Sequence, residues 1–156
     1  MNIVVQRDIG SLGSLKRLSA AASAVAAGAG DSTTTTGVTI DRAASFASGS
    51  MPNGLVLAFP WEAVLATGKT LSIGYAVQDS ADNSNWSDYA TATYAVVATG
   101  STAASAAAGQ LEVNVNLTSA RRFVRANHAL DLSATQTDTA ASRAVGFFGG
   151  FDRLPQ

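Results

Sequence analysis

Enzymes work with a nucleophile, a base or a set of metal ligands, and this chain supplies few of them. Histidine occurs once, at His128, and cysteine not at all. Without cysteine there are no thiolate nucleophiles, disulfide frameworks, Cys-ligated zinc sites or iron–sulfur clusters. A single histidine rules out multi-histidine metal sites and limits general acid–base schemes. A Ser–His–Asp set can be written on paper, since Asp131 lies close to His128 and serines are plentiful. No G-x-S-x-G elbow singles out one serine, however, and there is neither a G-x-G-x-x-G after a strand pattern nor a Walker-type loop. His128 shares the apolar side of an alternating run with Val124, Ala126, Leu130 and Leu132. That position reads as a buried, hydrogen-bonded histidine, not a catalytic base.

Two other clusters carry polar chemistry. The segment Gln78-Asp79-Ser80-Ala81-Asp82-Asn83-Ser84-Asn85-Trp86-Ser87-Asp88-Tyr89 is dense in oxygen ligands of the kind calcium takes. Its spacing departs from the EF-hand, with no glycine at the sharp turn and no terminal glutamate. The preferred reading is a polar hairpin tip, in which Asp, Asn and Ser bond their own backbone and Trp86 and Tyr89 fold back to pin it. Arg121, Arg122 and Arg125 form a small basic cluster, with Arg121 and Arg125 on the face opposite His128. They read either as gatekeeping charges on a solvated strand or as a contact to an acidic patch of a partner subunit. Asn85-Trp86-Ser87 and Asn116-Leu117-Thr118 match the glycosylation sequon, which has meaning only in a secreted protein. The expectation is therefore a structural or binding domain: not an enzyme, no catalytic residue, no metal and no cofactor.

Composition points the same way. At 156 residues the chain fits one domain with a real core. Charged residues make up 13% and the formal net charge is -1. The basic excess of a nucleic-acid binder is absent, so no nucleic-acid partner is expected. Lysine and glutamate occur twice each, while Ala, Ser, Thr and Gly abound, as on a surface that neighbours cover. No apolar run approaches the roughly 20 residues of a membrane span, so no membrane partner is expected either. Lys16 and Arg17 before Leu18–Ala29 faintly resemble a signal peptide, but the charges lie too far in and alanine makes a weak hydrophobic region.

From Gly37 onward the hydrophobic period is two. Leu71, Ile73, Tyr75 and Val77 alternate with Ser72, Gly74, Ala76 and Gln78, and Leu111, Val113, Val115 and Leu117 alternate with Glu112, Asn114, Asn116 and Thr118. Each pattern is a strand with one apolar face. Further strands are expected at 38–41, 54–59, 91–97, 122–132 and 144–151. Pro60 to Thr67, between a proline and Gly68, reads as one or two helical turns. The connections 98–109 and 133–142 are long and rich in small residues. Residues 1–35 read as an N-terminal arm: Leu12, Leu15, Leu18, Ala22 and Val25 keep near-helical spacing before a Gly/Thr-rich stretch. A first strand at Met1–Val5 is the alternative. Exposed apolar residues on such an arm mark a binding surface, so Ile3, Val4, Val5, Leu12, Leu15 and Leu18 join Arg121, Arg122 and Arg125 as candidate partner-binding residues. The fold class expected is all-β: an antiparallel β-sandwich or jelly roll over 36–156, with the arm and one short helix. A closed barrel is the alternative.

Three stretches, in order along residues 69–156, resemble small virion proteins of tailed phages. LSIGYAVQDSADNSNWSDY is similar to their strand–turn–strand, RRFVRANHALDL to the arginine–aromatic strand that follows, and AVGFFGGFDRLPQ to their last strand. The family is that of capsid decoration, or cement, proteins of β-sandwich or jelly-roll type. The resemblance implies a structural protein that stabilises the capsid shell from the virion exterior after synthesis in the host cytoplasm. It also implies a major capsid protein as partner and a homo-oligomer, dimer or trimer. A phage tail or neck component is one alternative. A carbohydrate-binding β-sandwich module is another, and would need Trp61, Trp86, Tyr75, Tyr89 and Tyr94 lined up on one exposed face.

Overall fold

The computed structural model describes residues 12–46, 50–101, 105–133 and 137–151. Its strands are β1 (Gly13–Arg17), β2 (Ala22–Val25), β3 (Thr34–Thr35), β4 (Ile40–Asp41), β5 (Gly54–Leu65), β6 (Thr70–Ser80), β7 (Ser87–Thr99), β8 (Ser105–Asn116), β9 (Phe123–Leu132), β10 (Thr139–Ser142) and β11 (Val145–Gly149). No helix occurs among the described residues.

The strands form two antiparallel sheets. In the first, here sheet A, β5 pairs along its whole length with β8 on one side. On its other side β5 pairs with β11 and then β10, and these pair in turn with β1 and β2. In sheet B, β6 lies between β7 and β9, and β9 pairs on its far side with β3 and β4. If β1 with β2, β3 with β4, and β10 with β11 are each taken as one interrupted strand, every sheet has four tracks. Apart from the β6–β7 hairpin, successive tracks alternate between sheets, which is the connectivity of a jelly roll.

Alternation builds the core. Leu55, Leu57, Phe59, Ala63 and Leu65 of β5 point inward against Leu71, Ile73 and Val77 of β6 and against Val124, Ala126, Leu130 and Leu132 of β9. Phe148 of β11 joins them, and a large side chain buried this fully contributes roughly 2–3 kcal/mol.

Three sequence expectations fail together. Residues 60–65 are strand rather than helix, and 105–108 and 139–142 are strand rather than loop. Trp61–Val64 pairs with Ala106–Gly109 on one side and with Thr139–Ser142 on the other, and Ala22–Val25 adds a fourth row. These alanine-rich pieces are one half of a sheet. Their cross-strand partners supply the order that their own composition does not. Pro60 falls where β11 gives way to β10, the one break in that side of β5, so its missing donor is tolerated. Its carbonyl accepts from Ser142 Oγ at 2.9 Å.

The expected arm is corrected too. Residues 13–17, 22–25 and 34–35 lie in the sheets as β1, β2 and β3, and Leu18, Ala24 and Ala26 belong to the core. The near-helical spacing of Leu12, Leu15, Leu18, Ala22 and Val25 does not correspond to a helix: Leu18 is buried while Leu15 and Val25 point out.

Candidate docking surfaces

The candidate partner-binding residues do not gather at one place. Ile3, Val4 and Val5 lie outside the described residues. Leu12 is half-buried in the turn before β1. Leu15 is 70% exposed on the outer face of sheet A. Leu18 cannot dock anything: it is 1% exposed, and its Cδ1 would touch a Cβ at Gly146.

The three arginines are each engaged within the chain. Arg121 Nε lies 3.6 Å from Asp79 Oδ1, and its amide donates to Asp79 Oδ2. Arg122 grips Asp41 with two bonds, of 3.0 and 2.7 Å, which hold that carboxyl below its usual range. Arg125 donates to Gln78 Oε1 at 2.8 Å and stacks 4.2 Å from the Trp86 ring centre. Each is paired within the chain, while the side chains of Arg121 and Arg122 keep about half of their surface in solvent, 47% and 53%.

The Asp79–Tyr89 segment behaves as a turn. Asp82 accepts from the amides of Ser84 and Asn85, from Ser80 Oγ and from Asn85 Nδ2, and these bonds push its carboxyl far down. Tyr89 does not fold back onto the turn but reaches the end of β8, its hydroxyl donating to the Asn116 carbonyl at 2.6 Å. Trp86 instead serves as the platform for Arg125.

His128 points into the sandwich as the alternation requires. It is 1% exposed, its ring centre 5.5 Å from that of Phe59. Neither ring nitrogen has a partner in full hydrogen-bond geometry, although the Ser142 main chain lies close enough to interact with the ring. Burial drives the imidazole below its ordinary range, opposed in part by the nearby Ser142 main chain.

Sequence reading missed Arg42, which is buried at 2% exposure without a carboxylate in contact. Its guanidinium donates to the carbonyls of Pro52 (2.7 Å), Leu117 (2.8 Å) and Arg121 (3.1 Å), and to that of Ala120. Desolvation lowers its pKa. A lone arginine in a loop has no periodic signature, so nothing local announced this role.

The two outer faces differ. On sheet B a bonded network crosses the surface: Gly37 N donates to Asn127 Oδ1, Asn127 Nδ2 to Gln78 Oε1, and Gln78 Nε2 to Asp88 Oδ1. Tyr94 lies over Gly74, its ring 3.2 Å from where a Cβ would stand. The aromatics do not line up on one face. Trp61 packs over Gly109, Tyr75 near Phe59, and Tyr89 on Asn116.

On sheet A the outward rows are Leu15–Phe147–Val56–Asn114, Arg17–Val145–Ala58–Glu112, Ser23–Ala141–Glu62–Ala108 and Val25–Thr139–Val64–Ala106. The charges in these rows are Arg17, Glu62 and Glu112. In the alanine-rich half the short side chains leave an open depression of about 580 Å³ between Val25, Val64, Ala106 and Ala141. That half carries one charge, Glu62, among the eight residues of its two outward rows.

No family model matches this chain, and no curated protein matches it. Among solved structures, that of the Gx strain of infectious bursal disease virus overlaps it with TM-score 0.48 and 12% identity, over 92% of this chain and 33% of that one. Dimeric latent PorU from Porphyromonas gingivalis overlaps with TM-score 0.46 and 10% identity, over 90% of this chain and 13% of that one. The particle of the extra small virus of the prawn Macrobrachium rosenbergii gives TM-score 0.26 and 8% identity, over 94% of this chain and 83% of that one. The chain thus spans about a third of the length of the first of these.

Proposed function

We propose that this chain is a structural protein of a virion that decorates and stabilises the capsid shell of a tailed phage, with no catalytic role. The outer face of sheet A carries the reading. It offers Leu15, Val25 and Val64 to solvent, and in its alanine-rich half only Glu62 would have to be desolvated on contact. A partner can therefore come close to the backbone over the alanine-rich half of the sheet. The jelly-roll connectivity supports the role only by analogy, because capsid domains share it with lectins and cupins. The resemblance of residues 69–156 to decoration proteins points to the outside of the shell, and to a major capsid protein as the surface met there.

Immunogold electron microscopy, with antibody to the full chain on particles from its native source, tests this. Label spread over the shell is the expected result. Label confined to the tail or neck would assign the chain there instead. Unlabelled particles, with binding on a glycan array, would overturn the virion reading in favour of a carbohydrate-binding module. If sheet A is the docking face, Leu15→Asp and Val64→Asp leave the fold intact and empty the shell of label.

A further inference from the structure

The four lateral edges of the sandwich are not equally guarded. The edge formed by β1 and β2 is short, broken, and carries Lys16 and Arg17. The edge formed by β3 and β4 is shorter still. Among the long strands, β7 has three register shifts against β6, which twist its edge away from a flat template. The remaining edge is β8. It runs for 12 residues, keeps unbroken register with β5 from Ser105 to Asn116, contains no proline, and bears a single charge, Glu112. Among the described residues no strand pairs its other side.

About half of its amides and carbonyls therefore face outward along a line without a bulge, the arrangement that recruits another strand. The core is also uncovered there. Leu111 and Val113 point inward yet are only half-buried, and no inward side chain stands at Gly109.

We infer that β8 is a self-association edge, at which two copies of this chain pair β8 against β8, antiparallel about a two-fold axis through Leu111, and join their sheets A into one. Directly opposed residues must point to the same face, so the axis can move only by whole residues. With the axis at Leu111, the two leucines meet on the core side and Val113 faces Gly109 of the second copy. Glu112 then faces Gln110 of the second copy, whose amide can donate to the carboxylate. Within one chain Gln110 Nε2 already sits 3.4 Å from Glu112 Oε2. With the axis one residue further on, at Glu112, the two carboxylates would collide. One residue back, at Gln110, Glu112 would face Ala108. Glu112 opposite Gln110 thus favours this register over the two adjacent ones, and the match is self-complementary, as a second copy requires. Self-pairing at β8 is independent of what the outer face of sheet A meets, although it would present two such faces side by side.

The experiment uses the full chain, whose lack of cysteine makes single-cysteine variants clean probes. Sedimentation at roughly micromolar concentration should show a species of twice the 15.8 kDa chain mass. Under mild oxidation Leu111→Cys should become a covalent dimer. Ala106→Cys should not, because the register places it roughly 33 Å from its own mate. Gln110→Glu creates two like-charge contacts per dimer and should weaken association roughly tenfold, whereas Gln110→Lys should not weaken it. Unchanged circular dichroism of each variant separates these effects from misfolding. A chain that stays monomeric overturns the inference. So does an oligomer that ignores Gln110→Glu and is not trapped by Leu111→Cys.

Discussion

Replacing Arg42 with methionine tests whether one buried cation organises the loops at that end of the sandwich. The side chain leaves the turn after β4 and reaches Pro52 before β5 and the Leu117–Arg121 segment after β8, donating to four carbonyls. Methionine keeps the length and removes every donor. Each hydrogen bond from a charged donor contributes roughly 1.5–3 kcal/mol. Set against them is the cost of burying a guanidinium without a carboxylate, several kcal/mol after relaxation. Because the carbonyls remain and cannot all reach water, we expect Arg42→Met to lose about 3 kcal/mol. Arg42→Lys should fall between, since an ammonium cannot spread over four acceptors as a planar fork does. Urea unfolding followed by circular dichroism, at fixed protein concentration, measures both. A methionine variant within about 0.5 kcal/mol of wild type, the usual scatter of inert surface changes, would refute the reasoning.

Other perturbations have definite outcomes. Burial depresses His128 in the folded state, so the unfolded chain takes up the proton first; stability should be intact above about pH 6.5, decline below it by at most about 1.4 kcal/mol per pH unit, and level off beneath the folded pKa. His128→Phe should remove that slope, and if the slope persists in a pH series of urea melts, His128 is not its source. Deleting residues 1–36 should unfold the chain, because it strips Leu18, Ala24 and Ala26 from the core and uncovers β10 and β11; a truncated protein with native circular dichroism would contradict the strand assignments. EDTA should leave the melting temperature unchanged, since hydrogen bonds of the turn occupy both Asp82 oxygens. A drop of more than about 5 °C would show a bound cation.

Much of sheet B was legible in the sequence. Leu71, Ile73 and Val77, and the run from Val124 to Leu132, alternate strictly, and alternation is a property of the extended backbone that needs no partner. It placed His128 inward correctly, although not its lack of a partner in full hydrogen-bond geometry, which depends on what β5 and β10 bring opposite it. The alanine-rich half of sheet A was not legible. Trp61–Leu65, Ser105–Gly109, Thr139–Ser142 and Ala22–Val25 have weak strand preference alone, and a local reading made them helix, loop, loop and arm. They become strands because pairing over long chain separations satisfies their backbone groups at once. The same holds for Arg42, whose acceptors lie in two segments far along the chain from each other. The free edge at β8 has the same origin. The alternation of its second half, from Leu111, was plain in the residues, but whether a strand lies at the margin of a sheet is decided only by where every other strand goes.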